Sequence, residues 1–291
     1  MEELIKRAAE DLLHSKYAIA LTGAGISTES GIPDFRGPDG IWTKDPEAEI
    51  RAYEIYDLFI ENPKKYWLDR LDPESFFSKR IFSIFGEIEK AKPNAGHYAL
   101  AELERLGILK WVITQNVDGL HQKAGSRRVI EYHGGLNKFR CIECNRRFTE
   151  EEMDLERLKV EEKLPPRCSC GGVIKDDGVF FGEPIPSDVA RKSIEEAWKC
   201  DLMLICGTSA VVYPFAQLPR IARQRKVEQE RRSNSGLYIV ERVPATTIIE
   251  VNREPTPLTE EGISNYLIQG KTGEILPKIL EEVKRKMGRS I

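Results

Sequence analysis

Five short apolar runs recur along the chain, and small or polar residues follow each of them. The runs are Tyr17–Leu21, Leu109–Thr114, Arg128–Tyr132, Leu202–Cys206 and Thr247–Val251. Runs of this length between turn residues are typical of buried strands. Apolar residues at helical spacing predict helices over residues 2–14, 93–106 and 272–287. Strands that alternate with helices predict an α/β fold with a mostly parallel sheet and helices on both faces.

The residues that follow the strands carry most of the candidate chemistry. They are Gly23–Ser27, Gln115–His121, His133–Gly134, Gly207–Ser209 and Asn252. Open α/β sheets bind ligands beyond the carboxyl ends of their strands. We therefore expect these five segments to converge on one crevice.

The first of these segments is a candidate phosphate loop. Its Gly-x-Gly-x-Ser pattern lets the backbone turn sharply and present amides to an anion. Thr28 stands where the dinucleotide fingerprint has its third glycine, so a tight turn without a ligand is the alternative. Asp34, Phe35 and Arg36 follow closely. An acid, an aromatic face and a cation together suit a site that binds a nucleotide in one fixed pose.

Composition narrows the class of protein. The 291 residues carry a net charge of -3, which argues against a general nucleic-acid coat protein. No run of about 18 apolar residues is present, which argues against a membrane span. The N-terminal residues lack the apolar core of a signal peptide, so we expect a cytoplasmic protein. A reducing compartment favours metal binding or free thiols over disulfides for the six cysteines.

Four of the cysteines have metal-ligand spacing. Cys141 and Cys144 form one pair, and Cys168 and Cys170 form a second pair 24 residues later. Four thiolates suit a closed, structural zinc site. An iron–sulfur cluster, two disulfides and a nucleic-acid-binding zinc ribbon are alternatives, although nearby acidic residues offset the basic ones. The remaining pair, Cys200 and Cys206, lies in apolar surroundings and is expected to be buried and inert.

The chain has four histidines, and one of them stands out. His133 follows a strand and precedes Gly134-Gly135, which leaves space for a bound molecule. An imidazole can accept a proton near neutral pH, so His133 is a candidate general base. His14 is expected to be a solvated helix end and His97 to be structural, whereas His121 could be either.

Taken together, these motifs resemble the sirtuins, which are NAD-dependent protein lysine deacylases. The resemblance runs from about Ala18 to Gly273 in the family's order. It rests on the following segments: Gly23-Ala24-Gly25-Ile26-Ser27, Ser30-Gly31-Ile32-Pro33-Asp34-Phe35-Arg36, Gln115-Asn116-Val117-Asp118, His133-Gly134, the four paired cysteines, Val179-Phe180-Phe181-Gly182-Glu183, Gly207-Thr208-Ser209 and Val251-Asn252.

The resemblance implies a role for each matching residue. His133 and Asn116 would be catalytic, and Val179, Phe180, Phe181, Gly182 and Glu183 would bind the substrate peptide as an added strand. Cys141, Cys144, Cys168 and Cys170 would hold one structural zinc ion. NAD, the co-substrate, would contact Gly23, Ala24, Gly25, Ser27, Pro33, Asp34, Phe35, Arg36, Trp42, Gln115, Asn116, Asp118, Gly207, Thr208, Ser209, Asn252, Arg253, Glu254 and Thr272.

The implied reaction transfers an acyl group from lysine to ADP-ribose and releases nicotinamide. The acyl oxygen would attack the ribose, and His133 would then act as general base on a ribose hydroxyl. An acylated-lysine protein or peptide is the expected partner, with no membrane and no direct nucleic-acid binding. Protein mono-ADP-ribosylation at the same site is the main alternative. A zinc-ribbon adaptor with a vestigial fold and a classical dehydrogenase are more distant ones.

The expected architecture is a Rossmann-like parallel sheet with two inserted modules. The core would comprise residues 1–40, 93–136 and 178–291, with a helical lid module at 41–92 and a zinc module at 137–177. Residues 223–244 form a charged excursion whose role the sequence does not give. Sirtuins that remove acidic acyl groups carry a Tyr-x-x-Arg pair. Here Tyr66 and Arg70 are four apart, so acetyl or longer apolar acyl groups are favoured over succinyl.

Overall fold

The computed structural model describes residues 1–37, 40–75, 78, 88–224 and 246–288. The strands of its larger sheet are β1 (Ala18–Thr22), β2 (Leu109–Thr114), β3 (Val129–Glu131), β7 (Leu202–Cys206), β8 (Thr247–Asn252) and β9 (Tyr266–Gln269). A smaller sheet contains β4 (Lys138–Cys141), β5 (Arg147–Thr149) and β6 (Ile174–Asp176).

The helices are α1 (Glu2–His14), α2 (Ile41–Lys44), α3 (Glu47–Glu61), α4 (Pro63–Leu71), α5 (Ala95–Arg105), α6 (Leu120–Lys123), α7 (Glu150–Met153), α8 (Leu155–Val160), α9 (Ser187–Lys199), α10 (Pro257–Glu260) and α11 (Thr272–Met287). In the part of the chain that the structure covers, no helix has the length and apolar character of a bilayer span.

The large sheet is parallel throughout, with strand order β3-β2-β1-β7-β8-β9. Helices cover both of its faces. Ala18 and Ala20 of β1 pack on one side with α1, α5 and α11, while Ile19 and Leu21 pack on the other side near α9. Every residue of β1 is buried, as expected for a central parallel strand. The predicted Rossmann-like α/β fold is therefore confirmed.

The smaller sheet is antiparallel, with order β5-β4-β6, and holds the cysteine segment. Helices α3 and α4 pack on it through Phe59, Tyr66 and Trp67, which share one apolar cluster with Phe139 and Cys141. The Trp67 indole also donates a hydrogen bond to the Ile174 carbonyl oxygen, 2.8 Å away. The helical segment thus packs against the cysteine segment.

Two of the predicted regions lie partly outside the described residues. These are the helical lid module, with its aromatic and apolar residues Phe76, Phe77, Ile81, Phe82, Ile84 and Phe85, and the charged excursion from residue 225 onward. Where the excursion returns, the Thr246 hydroxyl donates to the carbonyl oxygens of Cys200 and Ala222. The start of β8 is therefore tied to the residues that precede the excursion.

Candidate active site

The carboxyl ends of the large sheet's strands lie side by side. Thr22 of β1 pairs with Thr114 of β2 and with Cys206 of β7, and Cys206 pairs with Val251 of β8. Glu131 of β3 lies opposite Thr114 on the other side. The polar segments after these strands therefore leave the sheet at one edge, as the sequence predicts.

The glycine-rich loop, Gly23–Ser27, packs directly on Gly207–Ser209, the segment that follows β7. The Gly25 amide donates to the Gly207 carbonyl oxygen at 2.8 Å, and Gly207 has a left-handed φ of 60°. A Cβ at Gly25 would lie 2.8 Å from that oxygen, and one at Gly23 would lie 2.7 Å from the Thr208 Cβ. Only glycine permits this approach, which draws the two candidate ligand-binding loops together.

Gln115 and Asn116 bridge these loops from the end of β2. The Gln115 side-chain amide donates to the Thr208 hydroxyl at 2.8 Å. The Asn116 amide donates to the Gly23 carbonyl oxygen and to the Ser27 hydroxyl, both at 3.1 Å. Both side chains are only partly buried, so they border the crevice while their positions are set by hydrogen bonds.

Ser27 is the centre of a buried polar network. Its hydroxyl donates to the Asp118 carboxylate at 2.7 Å and accepts from Asn116. The His97 Nε2 lies 3.5 Å from the same hydroxyl, while His97 Nδ1 accepts from the Asn94 amide. Burial lowers the pKa of His97 to about 4, against the opposing effect of Asp118. The hydrogen bonds of the Ser27 side chain thus fix the position of the glycine-rich loop.

His121 is also structural. It is fully buried and its Nε2 lies 2.9 Å from the Thr22 hydroxyl. Its ring packs edge-on against that of His97, with centroids 4.9 Å apart. Burial lowers the pKa of His121 to about 3, with a further contribution from His97. Both rings are therefore neutral at pH 7.

His133 lies next to the loops at the end of β3. Its Nδ1 is 3.1 Å from the Gln115 carbonyl oxygen. Because a carbonyl oxygen only accepts, Nδ1 carries the hydrogen, and Nε2 keeps its lone pair. Burial lowers the pKa of His133, and the bond to Gln115 partly opposes the shift. The ring is therefore neutral at pH 7 and oriented to accept a proton at Nε2.

The backbone around His133 is joined to residues 177–179. The Val179 amide donates to the His133 carbonyl oxygen at 2.8 Å, and the Gly135 amide donates to Asp177 Oδ2 at 3.2 Å. Gly134, with φ 75°, lies so close that a Cβ would be 2.1 Å from the Asp177 carbonyl oxygen. The candidate base and the candidate peptide-binding segment are thus positioned together.

Aromatic side chains border the site beside the glycine-rich loop. The buried Trp42 ring lies 5.0 Å from that of the exposed Phe35 and 5.2 Å from that of Phe181. The Arg36 guanidinium lies over Trp42 at 4.2 Å and also pairs with Glu49 at 3.2 Å. Phe35 and Arg36 therefore pack on α2 and α3, and Trp42 of α2 in turn contacts Phe181 of the 179–183 segment.

The remaining candidate NAD-binding residues differ in their surroundings. The Asn252 amide donates to the Thr208 carbonyl oxygen at 2.8 Å, and Asp34 Oδ1 accepts from the Gly37 amide at 2.8 Å. Thr272 is buried and its hydroxyl has no hydrogen-bond partner. Side chains at the exposed positions extend toward solvent; these are Pro33, Ser209, Arg253 and Glu254.

The four paired cysteines lie within 4.8 Å of one another, measured between their sulfur atoms. Cys141 and Cys170 are 3.5 Å apart, and Cys144 and Cys168 are 3.7 Å apart. Ligands about 2.3 Å from a tetrahedral zinc ion are about 3.8 Å from one another, so the donor set fits zinc. Cys200 and Cys206 are buried elsewhere.

The sequence did not predict two groups of paired charges beside the site. Lys175 of β6 and Arg140 of β4 both contact the Glu183 carboxylate. Tyr66 and Arg70 of α4 both bind Asp176, the hydroxyl at 2.5 Å and the guanidinium at 3.3 Å. The first group could have been found from Lys175, which directly follows the apolar residues Val173 and Ile174. A lysine in such a position is buried only when it is paired with an acidic side chain.

Comparison with known proteins agrees with this geometry. The model of the Sir2 family matches residues 23–214. An NAD-dependent protein deacylase 2 of Archaeoglobus fulgidus is 44% identical over 287 residues, which cover 98% of each chain.

Solved structures of the same family are similar over nearly the whole length. One, described as a Sir2 homologue–NAD complex, is 38% identical with a TM-score of 0.67, and the match covers 99% of this chain and 95% of that one. Another, Sir2Af2 bound to a myristoylated histone peptide, is 38% identical with a TM-score of 0.62, covering 99% and 100%. With the motifs, the fold and the converging loops in agreement, the chain belongs to the Sir2 family.

Proposed function

We propose that the protein is an NAD-dependent protein-lysine deacylase that transfers the acyl group to ADP-ribose and releases nicotinamide. The observation that carries this proposal is the convergence of His133, Asn116 and the glycine-rich loop at one edge of the sheet. The family membership and the 44% identical relative named as an NAD-dependent deacylase support the same reaction.

Residues at the strand ends would hold NAD. The Gly23–Ser27 loop, which Gly23 and Gly25 allow to pack on Gly207 and Thr208, would hold the diphosphate, and Thr272 offers a buried hydroxyl without a partner. When bound, NAD supplies a ribose carbon activated by its bond to a cationic nicotinamide. Asn116 would orient the ribose, since its amide is fixed by Gly23 and Ser27. Phe35 and Trp42 would cover the site and exclude water.

His133 would take a proton from a ribose hydroxyl through Nε2. Its Nδ1 hydrogen is committed to Gln115, so the ring cannot present the wrong nitrogen. Because its pKa is lowered by burial, the base is in its unprotonated form at neutral pH. General bases of this kind contribute about 10² to 10⁴ in rate.

The four cysteines would hold one zinc ion with no open coordination position. Such an ion supplies a crosslink and no chemistry at the reacting atoms. The crosslink would join β4, whose last residue is Cys141, to the Cys168–Cys170 turn. This is the structural role expected from four thiolate ligands.

The substrate is proposed to be a peptide or protein segment that carries an acylated lysine. Val179–Gly182 would supply main-chain hydrogen bonds to it. Acetyl or longer apolar acyl groups are favoured, because Asp176 already binds Tyr66 and Arg70 and leaves neither for an acidic acyl group.

One experiment tests the reaction and its main alternative together. The protein is incubated with an acetyl-lysine peptide and NAD labelled in its adenosine half, with parallel samples lacking NAD. We expect equal amounts of deacetylated peptide, nicotinamide and labelled acetyl-ADP-ribose, and no deacetylation without NAD. Label attached to protein instead would support ADP-ribosylation, and deacetylation without NAD would reject the proposal.

A further inference from the structure

The segment Val179–Glu183 contains only one side chain with a carboxylate, and that carboxylate is turned into the protein. The Glu183 side chain is 4% exposed. Its Oε1 accepts from the Arg140 guanidinium at 2.6 Å, and its Oε2 lies 3.1 Å from the Lys175 ammonium. The Glu183 side chain is therefore unavailable for direct contact with a peptide.

The same carboxylate holds the backbone of its own segment. Glu183 Oε2 accepts from the Phe180 amide at 2.9 Å, and the Glu183 amide donates back to the Phe180 carbonyl oxygen at 3.1 Å. Between them Gly182 has a left-handed φ of 82°. These bonds close a tight turn over the residues that would face a peptide.

Lys175 supports the segment from its other end. Its side chain is fully buried, and its ammonium donates to the carbonyl oxygens of Asp176 and Gly178, both at 2.6 Å. The ammonium also lies 4.3 Å from the centre of the Phe180 ring. One buried cation thus contacts Phe180 and Glu183 of the segment and Gly178, which directly precedes it.

Both cations belong to the small sheet that carries the cysteines. Arg140 directly precedes Cys141 in β4, and Lys175 is the central residue of β6. Arg140 Nε also lies 3.4 Å from Asp177 Oδ1, and Asp177 in turn binds the Gly135 amide next to His133. Two buried cations and two buried carboxylates therefore balance each other across the boundary between the small sheet and the site.

From this arrangement we infer that Glu183, held by Lys175 and Arg140, is a positioning residue that sets the backbone of the peptide-binding segment Val179–Gly182. The inference rests on the proposed deacylase function and goes beyond it, because it assigns to the small sheet a role in peptide affinity. A buried charge fixes the position of its neighbours when every charge in the group has a partner, because removing one charge leaves the others uncompensated. Peptide binding then depends on a backbone conformation that is already formed, rather than on ordering at the moment of binding.

The test compares two glutamate variants whose carboxylates are alike in burial and are each paired with two cations. Glu183→Gln removes the charge from the anchoring site. The control, Glu196→Gln, removes a charge from α9, where the carboxylate is 1% exposed and pairs with Lys192 and Lys199. Both variants should lose stability, so stability does not distinguish them. The readouts are KM for the acetyl peptide, KM for NAD, and the peptide Kd by titration calorimetry.

For Glu183→Gln we expect the peptide KM and Kd to rise about tenfold, equivalent to about 1.4 kcal/mol. The KM for NAD should stay within about twofold, and Glu196→Gln should leave the peptide Kd unchanged. A peptide Kd unchanged in Glu183→Gln, or raised equally in both variants, would overturn the inference. The Kd is independent of turnover, so a wild type that binds peptide without NAD-dependent deacylation would reject the proposed function while leaving the anchoring to be judged.

A measurement on the wild type covers the case in which the variant does not fold. Amide hydrogen exchange is followed in the free protein. The amides of Phe180 and Glu183 should be protected although no peptide is bound, because both are hydrogen-bonded within the turn. Exchange of both amides at the rate of an unstructured chain would show that the turn is not pre-formed and would contradict the inference.

Discussion

Gly134 provides the sharpest single-residue test of how His133 is positioned. Replacing it with alanine adds a Cβ that would lie 2.1 Å from the Asp177 carbonyl oxygen and 2.6 Å from the Asp177 carbonyl carbon. The obstruction is backbone and cannot rotate away. Residue 134 also has φ 75°, a conformation that disfavours a side chain. The substitution therefore forces the His133–Gly135 backbone away from residues 177–179.

A matched control separates the two contributions to the loss of folding free energy, which are left-handed backbone strain and the close contact with Asp177. Gly107 has nearly the same φ, 76°, but a Cβ there meets nothing within 4 Å. Gly107→Ala therefore bears only the left-handed strain, about 1 kcal/mol after the smaller entropy of the unfolded chain is counted. Gly134→Ala bears that strain plus a backbone displacement of about 1 to 3 kcal/mol. We expect total losses of about 1 kcal/mol and about 2 to 4 kcal/mol, respectively.

The assay is equilibrium urea unfolding of both variants and the wild type, together with NAD-dependent deacetylation of a peptide. Gly134→Ala should unfold at a clearly lower urea concentration than Gly107→Ala. It should also lose activity at temperatures where it is still folded, whereas Gly107→Ala should remain active. If the two variants prove equally stable and equally active, the close contact between Gly134 and Asp177 is not a determinant of the site.

Three further predictions concern the zinc site, pH and acyl preference. One zinc ion per chain should be found by elemental analysis, with Cys144→Ser losing it and Cys200→Ser retaining it; equal zinc content in the two variants would refute the assignment. Burial holds the pKa of His97 at about 4 and that of His121 at about 3, below the unfolded value of 6.5, so the unfolded chain binds more protons in acid. Stability should therefore fall by about 2 kcal/mol for each ring between pH 7 and pH 5. Urea unfolding at the two pH values measures this, and unchanged stability would contradict it. Because Asp176 already occupies its two partners on α4, kcat/KM for an acetyl peptide should exceed that for a succinyl peptide by about tenfold or more; the reverse order would overturn the preference.

Local sequence patterns predicted the large sheet well where strands are continuous and apolar. The predicted bounds of Leu109–Thr114 and Leu202–Cys206 agree with β2 and β7. Strand β9 (Tyr266–Gln269) was not predicted, because it is short and at the sheet edge, with its alternate positions partly exposed. The antiparallel strands around the cysteines were missed for a similar reason, since each has only three or four residues.

The sequence predicted those residues of the candidate site that directly follow a strand. Gln115, Asn116 and His133 follow strands, so the strand-end rule alone places them at the crevice. The functions of Ser27 and Glu183 depend instead on partners more than 40 residues away, Asp118 for Ser27 and Arg140 for Glu183. No local pattern shows that these two side chains are turned inward, so only the three-dimensional structure separates them from ligand-contacting residues.

The central claim is that His133 acts as the base in a site that couples NAD to deacylation. Its most direct test is the rate of acetyl-peptide deacetylation with saturating NAD, measured for wild type and for His133→Ala at enzyme excess. We predict that the variant is slower by about 10² to 10⁴, while its affinities for NAD and peptide stay within about threefold. Deacetylation by His133→Ala at the wild-type rate would contradict the account.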